Sequence, residues 1–267
     1  MTQSERRHFL IEYLLAENPP CRGASPSDIP QDETKQRDLL RSLLNVRPAL
    51  PASEEFMRVQ DAYLVEEIAR RGITPLSALA PIQTSGHEHL YLWRGDITTL
   101  RVDAIVNAAN SGMTGCWSPC HSCIDNCIHT YAGIQLRKVC DELIRQQGHA
   151  EPTGCAKITP AFNLPCNFVL HTVGPIIGGT LTRSDRRLLA SCYASCLDLA
   201  ADNGVHSIAF CCISTGVFHF PAQEAAEIAV ATVKYWLQAS GSDMSIVFNV
   251  FTESDEGIYK SILGLTP

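Results

Sequence analysis

Apolar residues in the N-terminal part of the chain recur at helical spacing in three segments, Arg7–Leu15, Thr34–Leu44 and Glu54–Arg71. In the third, Phe56, Val59, Tyr63, Leu64 and Ile68 fall on one stripe. Proline-rich breaks at Asn18-Pro19-Pro20, Pro26/Pro30 and Pro48/Pro51 separate the segments. The pattern predicts a small helical extension over residues 1–80 that packs against something larger. From about Leu90 the pattern changes. His89–Trp93, Ala104–Val106, Phe168–His171, Ser207–Cys212 and Ile246–Phe251 are short, apolar and partly β-branched, as strands buried on both faces are. Asn126–Gln147, Ser184–Asn203, Ala222–Gln238 and Ser254–Leu263 read as helices between them. Strands alternating with amphipathic helices predict an α/β layer structure around a mostly parallel sheet, residues 81–267. Ligands of such sheets bind beyond the carboxyl ends of the strands. That directs attention to Arg94–Thr98, Asn107–Ile128 and Ser214–Pro221.

Composition narrows the function classes. With 267 residues, 45% of them hydrophobic, the chain can bury one good-sized domain plus an accessory segment. A formal net charge of −7 argues against non-specific nucleic-acid binding, which needs a basic surface to displace phosphate counterions. It leaves room for a small anionic ligand, because backbone amides at a helix start hold a pyrophosphate without Lys or Arg. The N-terminus carries Glu5, Arg6, Arg7 and Glu12 with no apolar run of membrane-spanning length, so a cytoplasmic protein is expected. In that reducing setting the 12 cysteines read as metal ligands or buried packing rather than disulfides.

The densest chemistry lies between Gly115 and His129, where Cys116, Cys120, His121, Cys123, Cys127 and His129 share one expected loop. Thiolate and imidazole are the ligand set that zinc favours, although density alone does not say which of the six bind. Chance clustering in a Cys-rich chain is the rival reading. Ser214-Thr215-Gly216-Val217-Phe218 follows a strand and precedes a helix, so its hydroxyls and amides either cradle a phosphate or form a plain turn. Asp96 either caps the Ile97-Thr98 turn or accepts hydrogen bonds from a ligand amino group. Of Asn107 and Asn110, one is expected to hold its loop and the other to face a ligand. His171 reads as a core histidine, Cys192, Cys196, Cys211 and Cys212 as packing, and Arg183, Arg186 and Arg187 as a solvated helix start.

Taken together, Gly95-Asp96-Ile97-Thr98, Val106-Asn107-Ala108-Ala109-Asn110, Asp125-Asn126-Cys127-Ile128-His129, His171-Thr172-Val173-Gly174-Pro175 and Ser214-Thr215-Gly216-Val217-Phe218 resemble the macrodomain family, in its order. The resemblance runs from about Leu90 to the C-terminus and implies a three-layer α/β/α sandwich with a mostly parallel mixed sheet. Where macrodomain hydrolases usually carry a run of glycines, this chain has Cys116 to Cys123. That replacement resembles the zinc-containing microbial subgroup, which also has an N-terminal helical extension. The resemblance implies zinc on Cys116, His121 and Cys123, with a fourth position open as in catalytic sites. It implies ADP-ribose binding by Asp96 and Ile97 at the adenine, by Ser214, Thr215, Gly216, Val217 and Phe218 around the pyrophosphate and distal ribose, and by Asn110 at the distal ribose. Asn110 and Asp125 are the expected catalytic residues. Asp125 is either a base or a helix cap. The implied activity is removal of mono-ADP-ribose from protein side chains, with ester-linked acidic ones expected. A reader module with structural zinc and an O-acetyl-ADP-ribose deacetylase are the alternatives. The subgroup's association with a sirtuin-like transferase implies a modified lipoyl-carrier protein as a partner.

Overall fold

The computed structural model describes residues 1–17, 29–83 and 89–265. The three N-terminal patterns become helices α1 (Gln3–Glu17), α2 (Glu33–Val46) and α3 (Glu54–Arg71). Asp32 caps α2 by accepting from the Lys35 amide, and Ser53 caps α3 by accepting from that of Phe56. Gly72, with φ of 85°, ends α3. Leu10, Ile11 and Leu14 of α1 close over Leu40, Leu43 and Leu44 of α2 and Phe56, Val59 and Leu64 of α3, a small core of their own. Ile68 at the end of the α3 stripe belongs instead to the main core. The proposed breaks at Asn18-Pro19-Pro20 and Pro26 lie outside the described residues.

The main body is a six-stranded sheet of β2 (Leu90–Arg94), β4 (Ala104–Ala108), β5 (Ala156–Pro160), β6 (Phe168–Thr172), β7 (Ser207–Phe210) and β8 (Ser245–Val250), ordered β2-β8-β7-β4-β6-β5. Every pairing is parallel except β5 with β6. Two-residue strands β1 (Thr74–Pro75) and β3 (Leu100–Arg101) pair separately. Helices α4 (Ile124–Ala132) and α5 (Ile134–Gln147) flank the sheet, as do α6 (Arg183–Asp202), α7 (Ala222–Ser240) and α8 (Glu253–Leu263), which pack side by side. The expected sandwich with its mostly parallel mixed sheet is therefore observed. No described helix is long and apolar enough to cross a membrane.

Three local departures from the sequence reading have physical causes. The single helix expected over Asn126–Gln147 is two, broken at Gly133. Gly133 has φ of 96°, and a Cβ there would lie 2.8 Å from the Gln60 side chain. The strand expected over Ser207–Cys212 stops at Phe210, so Cys211 and Cys212 belong to the following loop. The edge strand β5 had no signal, because Lys157, Thr159 and Pro160 interrupt any apolar run.

Candidate active site

A cleft of about 410 Å³ opens at the carboxyl ends of the strands, lined among others by Asp96, Ala108, Cys123, Cys212, Gly216 and Phe251. Its size suits a nucleotide-sized ligand. One wall is the loop Ser214–Phe218. Ser214 is held at φ of 66°, a left-handed conformation that costs a non-glycine residue free energy. It is held there because the Phe220 amide donates to the Ser214 carbonyl at 3.0 Å and the Ser214 side chain rests on Gly174. A Cβ on Gly174 would overlap the Ser214 hydroxyl. The Ser214 Oγ is buried and has no partner, and among the described residues the amides of Gly216, Val217 and Phe218 donate to no protein acceptor. Unused donors gathered on a loop between a strand and a helix form an anion cradle.

Elsewhere on the cleft lining, Asp96 caps its turn. Its Oδ1 accepts from the Thr98 amide at 2.9 Å and from the Thr98 hydroxyl at 2.6 Å. Its Oδ2 is paired with Arg71 of α3, whose guanidinium also stacks on Tyr131, 3.9 Å from the ring centroid. The cap is therefore observed, and the ligand reading stays compatible with the position, since Asp96 lines the cleft and its Oδ2, with Arg71 as its partner, has a second acceptor site. Ile97 is buried beside it.

Behind the floor of the cleft lies a buried polar chain. Asn107 on β4 donates from Nδ2 to Asp125 Oδ1 at 2.8 Å and contacts His171 Nδ1 at 3.1 Å. One amide nitrogen carrying two protons serves both acceptors, which fixes the proton of His171 on Nε2, facing Thr159 Oγ1 at 3.0 Å. Asn110 donates from Nδ2 to Asp125 Oδ2 at 3.1 Å and to the Gly115 carbonyl at 3.0 Å, while its Oδ1 accepts from the Gly112 amide. Asp125 makes no capping bond to the α4 backbone. Both its oxygens face the two asparagines, and burial pushes its carboxyl up to about 6 against the opposing effect of those hydrogen bonds. Burial drives His171 down to about 3 and takes His129 well below its usual value. His129 Nε2 is 3.6 Å from Asp125 Oδ1.

The Cys-rich loop runs from the end of this chain to the start of α4. Ligand atoms of Cys116, His121 and Cys123 all lie within 4.8 Å of one another, with Cys116 Sγ 3.8 Å from His121 Nδ1. Two thiols and an imidazole converging at that separation suit a zinc-sized cation. Cys120 turns away: it sits at φ of 53° and donates its thiol to the Asp38 carbonyl of α2 at 3.2 Å. Cys127 faces Arg41 instead, at 3.5 Å. A second group, His129, Cys140 and His171, also clusters. There the Nε2 of His171 carries the proton and its Nδ1 accepts from Asn107, so neither nitrogen is free to ligate.

The structure therefore gathers Asp96, Ile97, Ser214, Thr215, Gly216, Val217, Phe218 and Cys123 around one cleft. Asn110 and Asp125 stand together immediately behind it rather than on its lining. The sequence reading missed Arg41, Asn249, Phe251 and Asp255, which also line the cleft. Phe251 had a signal, being a large aromatic at the carboxyl end of a strand, where it stands 75% exposed. Cys192 and Cys196 are buried packing as expected, whereas Cys211, though buried, and the half-buried Cys212 also line the cleft, and Arg186 pairs with Glu224.

Comparison with known proteins agrees with this geometry. The Macro domain family matches residues 106–229. A protein-ADP-ribose hydrolase of Treponema medium is 66% identical over 263 residues, covering 98% of this chain and 100% of its own. A protein-ADP-ribose hydrolase of Staphylococcus aureus (strain MSSA476) is 49% identical over 254 residues, 94% of this chain and 93% of its own. Among solved structures, a Trypanosoma brucei macrodomain in complex with ADP-ribose is 29% identical with a TM-score of 0.66, covering 84% of this chain and 95% of its own. The chain belongs to the macro domain family and, with relatives of this identity along nearly its whole length, is a hydrolase of that family.

Proposed function

We propose that the protein hydrolyses the bond between mono-ADP-ribose and a protein side chain, most readily an ester to Asp or Glu. The observation that carries this reading is the adjacency of an anion cradle at Ser214–Phe218 to a Cys/His ligand set and a buried carboxylate. On this reading the amides of Gly216, Val217 and Phe218 and the Ser214 hydroxyl take the pyrophosphate, and Asp96 and Ile97 take the adenine. Asn110 orients the distal ribose, and its Nδ2 holds Asp125 Oδ2 in a fixed direction just behind the cleft lining. As water attacks the anomeric carbon, Asp125 takes its proton and the new carbon–oxygen bond forms. The ester bond breaks, and the acidic side chain leaves as its carboxylate. Cys116, His121 and Cys123 would hold zinc, which when bound supplies a Lewis acid with one coordination position open.

The division into an extension, residues 1–80, and a catalytic domain, residues 81–267, belongs to the same reading, as does a cytoplasmic location, supported by every described cysteine being a free thiol. A lipoyl-carrier protein modified by a sirtuin-like transferase is the substrate to include first. The experiment follows release of labelled ADP-ribose from aspartate- or glutamate-modified protein and from such a carrier, with metal content read in parallel. Release is expected from the native chain and lost in His121→Ala together with the metal. Full activity in metal-free His121→Ala would overturn the role of zinc. Tight ADP-ribose binding without release from any linkage would make the protein a reader, and release only from O-acetyl-ADP-ribose a deacetylase.

A further inference from the structure

Helix α2 of the extension reaches the active-site loop with a single side chain that carries several bonds. Arg41 Nη2 donates to the His121 carbonyl at 2.7 Å, to Asn126 Oδ1 at 2.9 Å and to Cys127 Sγ at 3.5 Å, and its Nε adds a second contact to Asn126 Oδ1 at 3.3 Å. Asn126 in turn donates to the Ser118 carbonyl at 2.9 Å and the Cys116 carbonyl at 3.4 Å. One guanidinium thus grips the backbone of His121 directly and that of Cys116 through one amide. One turn further along α2, Asn45 accepts from the Cys120 amide at 2.9 Å and donates to Thr130 at 3.0 Å. Among the described residues no carboxylate pairs with Arg41, although Arg37 on the same helix is paired with Glu33 and Glu67. Arg41 is half-buried and lies on the cleft lining beside Cys123.

A charged donor that gives up a carboxylate partner for backbone carbonyls is expensive to place and serves to fix those carbonyls. The segment Cys116–Cys123 has no regular secondary structure to hold it, so its shape depends on such contacts. We infer that Arg41 is a positioning residue of the active site, by which the N-terminal extension holds Cys116 and His121 in metal-ligating geometry. This rests on the metal reading of the Cys/His set given above. The planar fork is what the role needs. A lysine at this position keeps the charge but lacks the paired Nε and Nη2 donors that meet Asn126 Oδ1 at 3.3 and 2.9 Å, and its shorter side chain ends before the Nη2 position that reaches the His121 carbonyl.

The test uses the full chain with cobalt(II) as the probe, read by thiolate-to-cobalt and ligand-field absorption. Arg41→Gln, Arg41→Lys and the control Arg37→Gln are compared with the parent, each with its thermal midpoint. Both Arg41 variants are expected to bind cobalt roughly tenfold or more weakly, the range seen when outer partners of metal ligands are removed, with an altered ligand-field envelope. Arg37→Gln is expected to keep parental affinity and spectrum. If the Gln variant does not fold, the Lys variant alone decides. Parental affinity and spectrum in Arg41→Lys would overturn the inference, as would an equal loss in Arg37→Gln or absence of cobalt binding in the parent. Turnover is not read, so loss of the hydrolase reading leaves this result standing, and the reverse holds too.

Discussion

Gly174 offers the sharpest test of how the cradle is built. Its backbone is not left-handed, so Gly174→Ala imposes no torsional strain and acts through space alone. The added Cβ would overlap Ser214 Oγ and stand 2.9 Å from Ile213 Cγ2 and 3.3 Å from Ser214 Cβ. Carbon atoms prefer roughly 3.5–4.0 Å, so even after the Ser214 hydroxyl rotates aside, Ile213 Cγ2 and Ser214 Cβ must give way by roughly 0.2–0.6 Å, and the loop they begin retreats with them. Crowding of this kind costs about 1–3 kcal/mol of stability. The larger effect is expected in binding, because the retreating segment carries the free amides of Gly216, Val217 and Phe218. A hydrogen bond to a charged group contributes roughly 1.5–3 kcal/mol. Losing the equivalent of one such bond weakens binding by about 10- to 100-fold at ~1.4 kcal/mol per decade. Calorimetric titration with ADP-ribose measures this directly, beside the thermal midpoint. The companion change Ser214→Gly removes both the hydroxyl and the Cβ and accepts φ of 66° without strain. Gly174→Ala with Ser214→Gly should therefore regain part of the stability that Gly174→Ala loses. A dissociation constant for Gly174→Ala within twofold of the parent would refute the account of the loop.

Asp125→Asn keeps the size of the side chain but sets an amide against the donors of Asn107 and Asn110. Turnover on modified protein is expected to fall by about 10²–10⁴-fold, the usual contribution of a general base, with ADP-ribose affinity changed far less; equal losses in both would assign Asp125 to ligand holding. His171 makes stability depend on pH. Its folded value, near 3, lies below the ordinary 6.5, so the unfolded chain binds the extra proton first and stability falls as pH drops from 6.5 toward 3. Between pH 6.5 and 5 this residue accounts for a loss on the order of 2 kcal/mol. Urea unfolding of His171→Gln should show a shallower decline over that interval, and an unchanged slope would show that His171 does not titrate as its burial requires.

The sheet and most helices were legible because strands buried on both faces are short apolar runs, and because helices with one solvated face keep their periodicity. β5 was not, since an edge strand needs no such run, and the break at Gly133 depends on Gln60 of α3, a contact more than seventy residues away. The cleft was legible in its loops. Gly95-Asp96-Ile97-Thr98 and Ser214–Phe218 carry their chemistry in adjacent residues, which a linear reading finds. The buried chain was half legible: Asn107, Asn110 and Asp125 stood out, but nothing in the sequence links His171 to them through one amide group. Arg41 was invisible, because a lone arginine on an amphipathic helix has the same local pattern whether it meets solvent or a loop eighty residues away.

The N-terminal helices touch two loops of the cleft lining. Arg41 of α2 holds the Cys-rich loop, while Arg71 of α3 is paired with Asp96 on another loop of the lining. Helices α2 and α3 are in turn joined through the apolar core they share. The two loops are therefore not independent jaws. Both contacts are made by helices whose shared packing of leucine and phenylalanine lies outside the cleft lining. A core substitution there that leaves the chain folded is expected to be felt at both loops, although it touches neither.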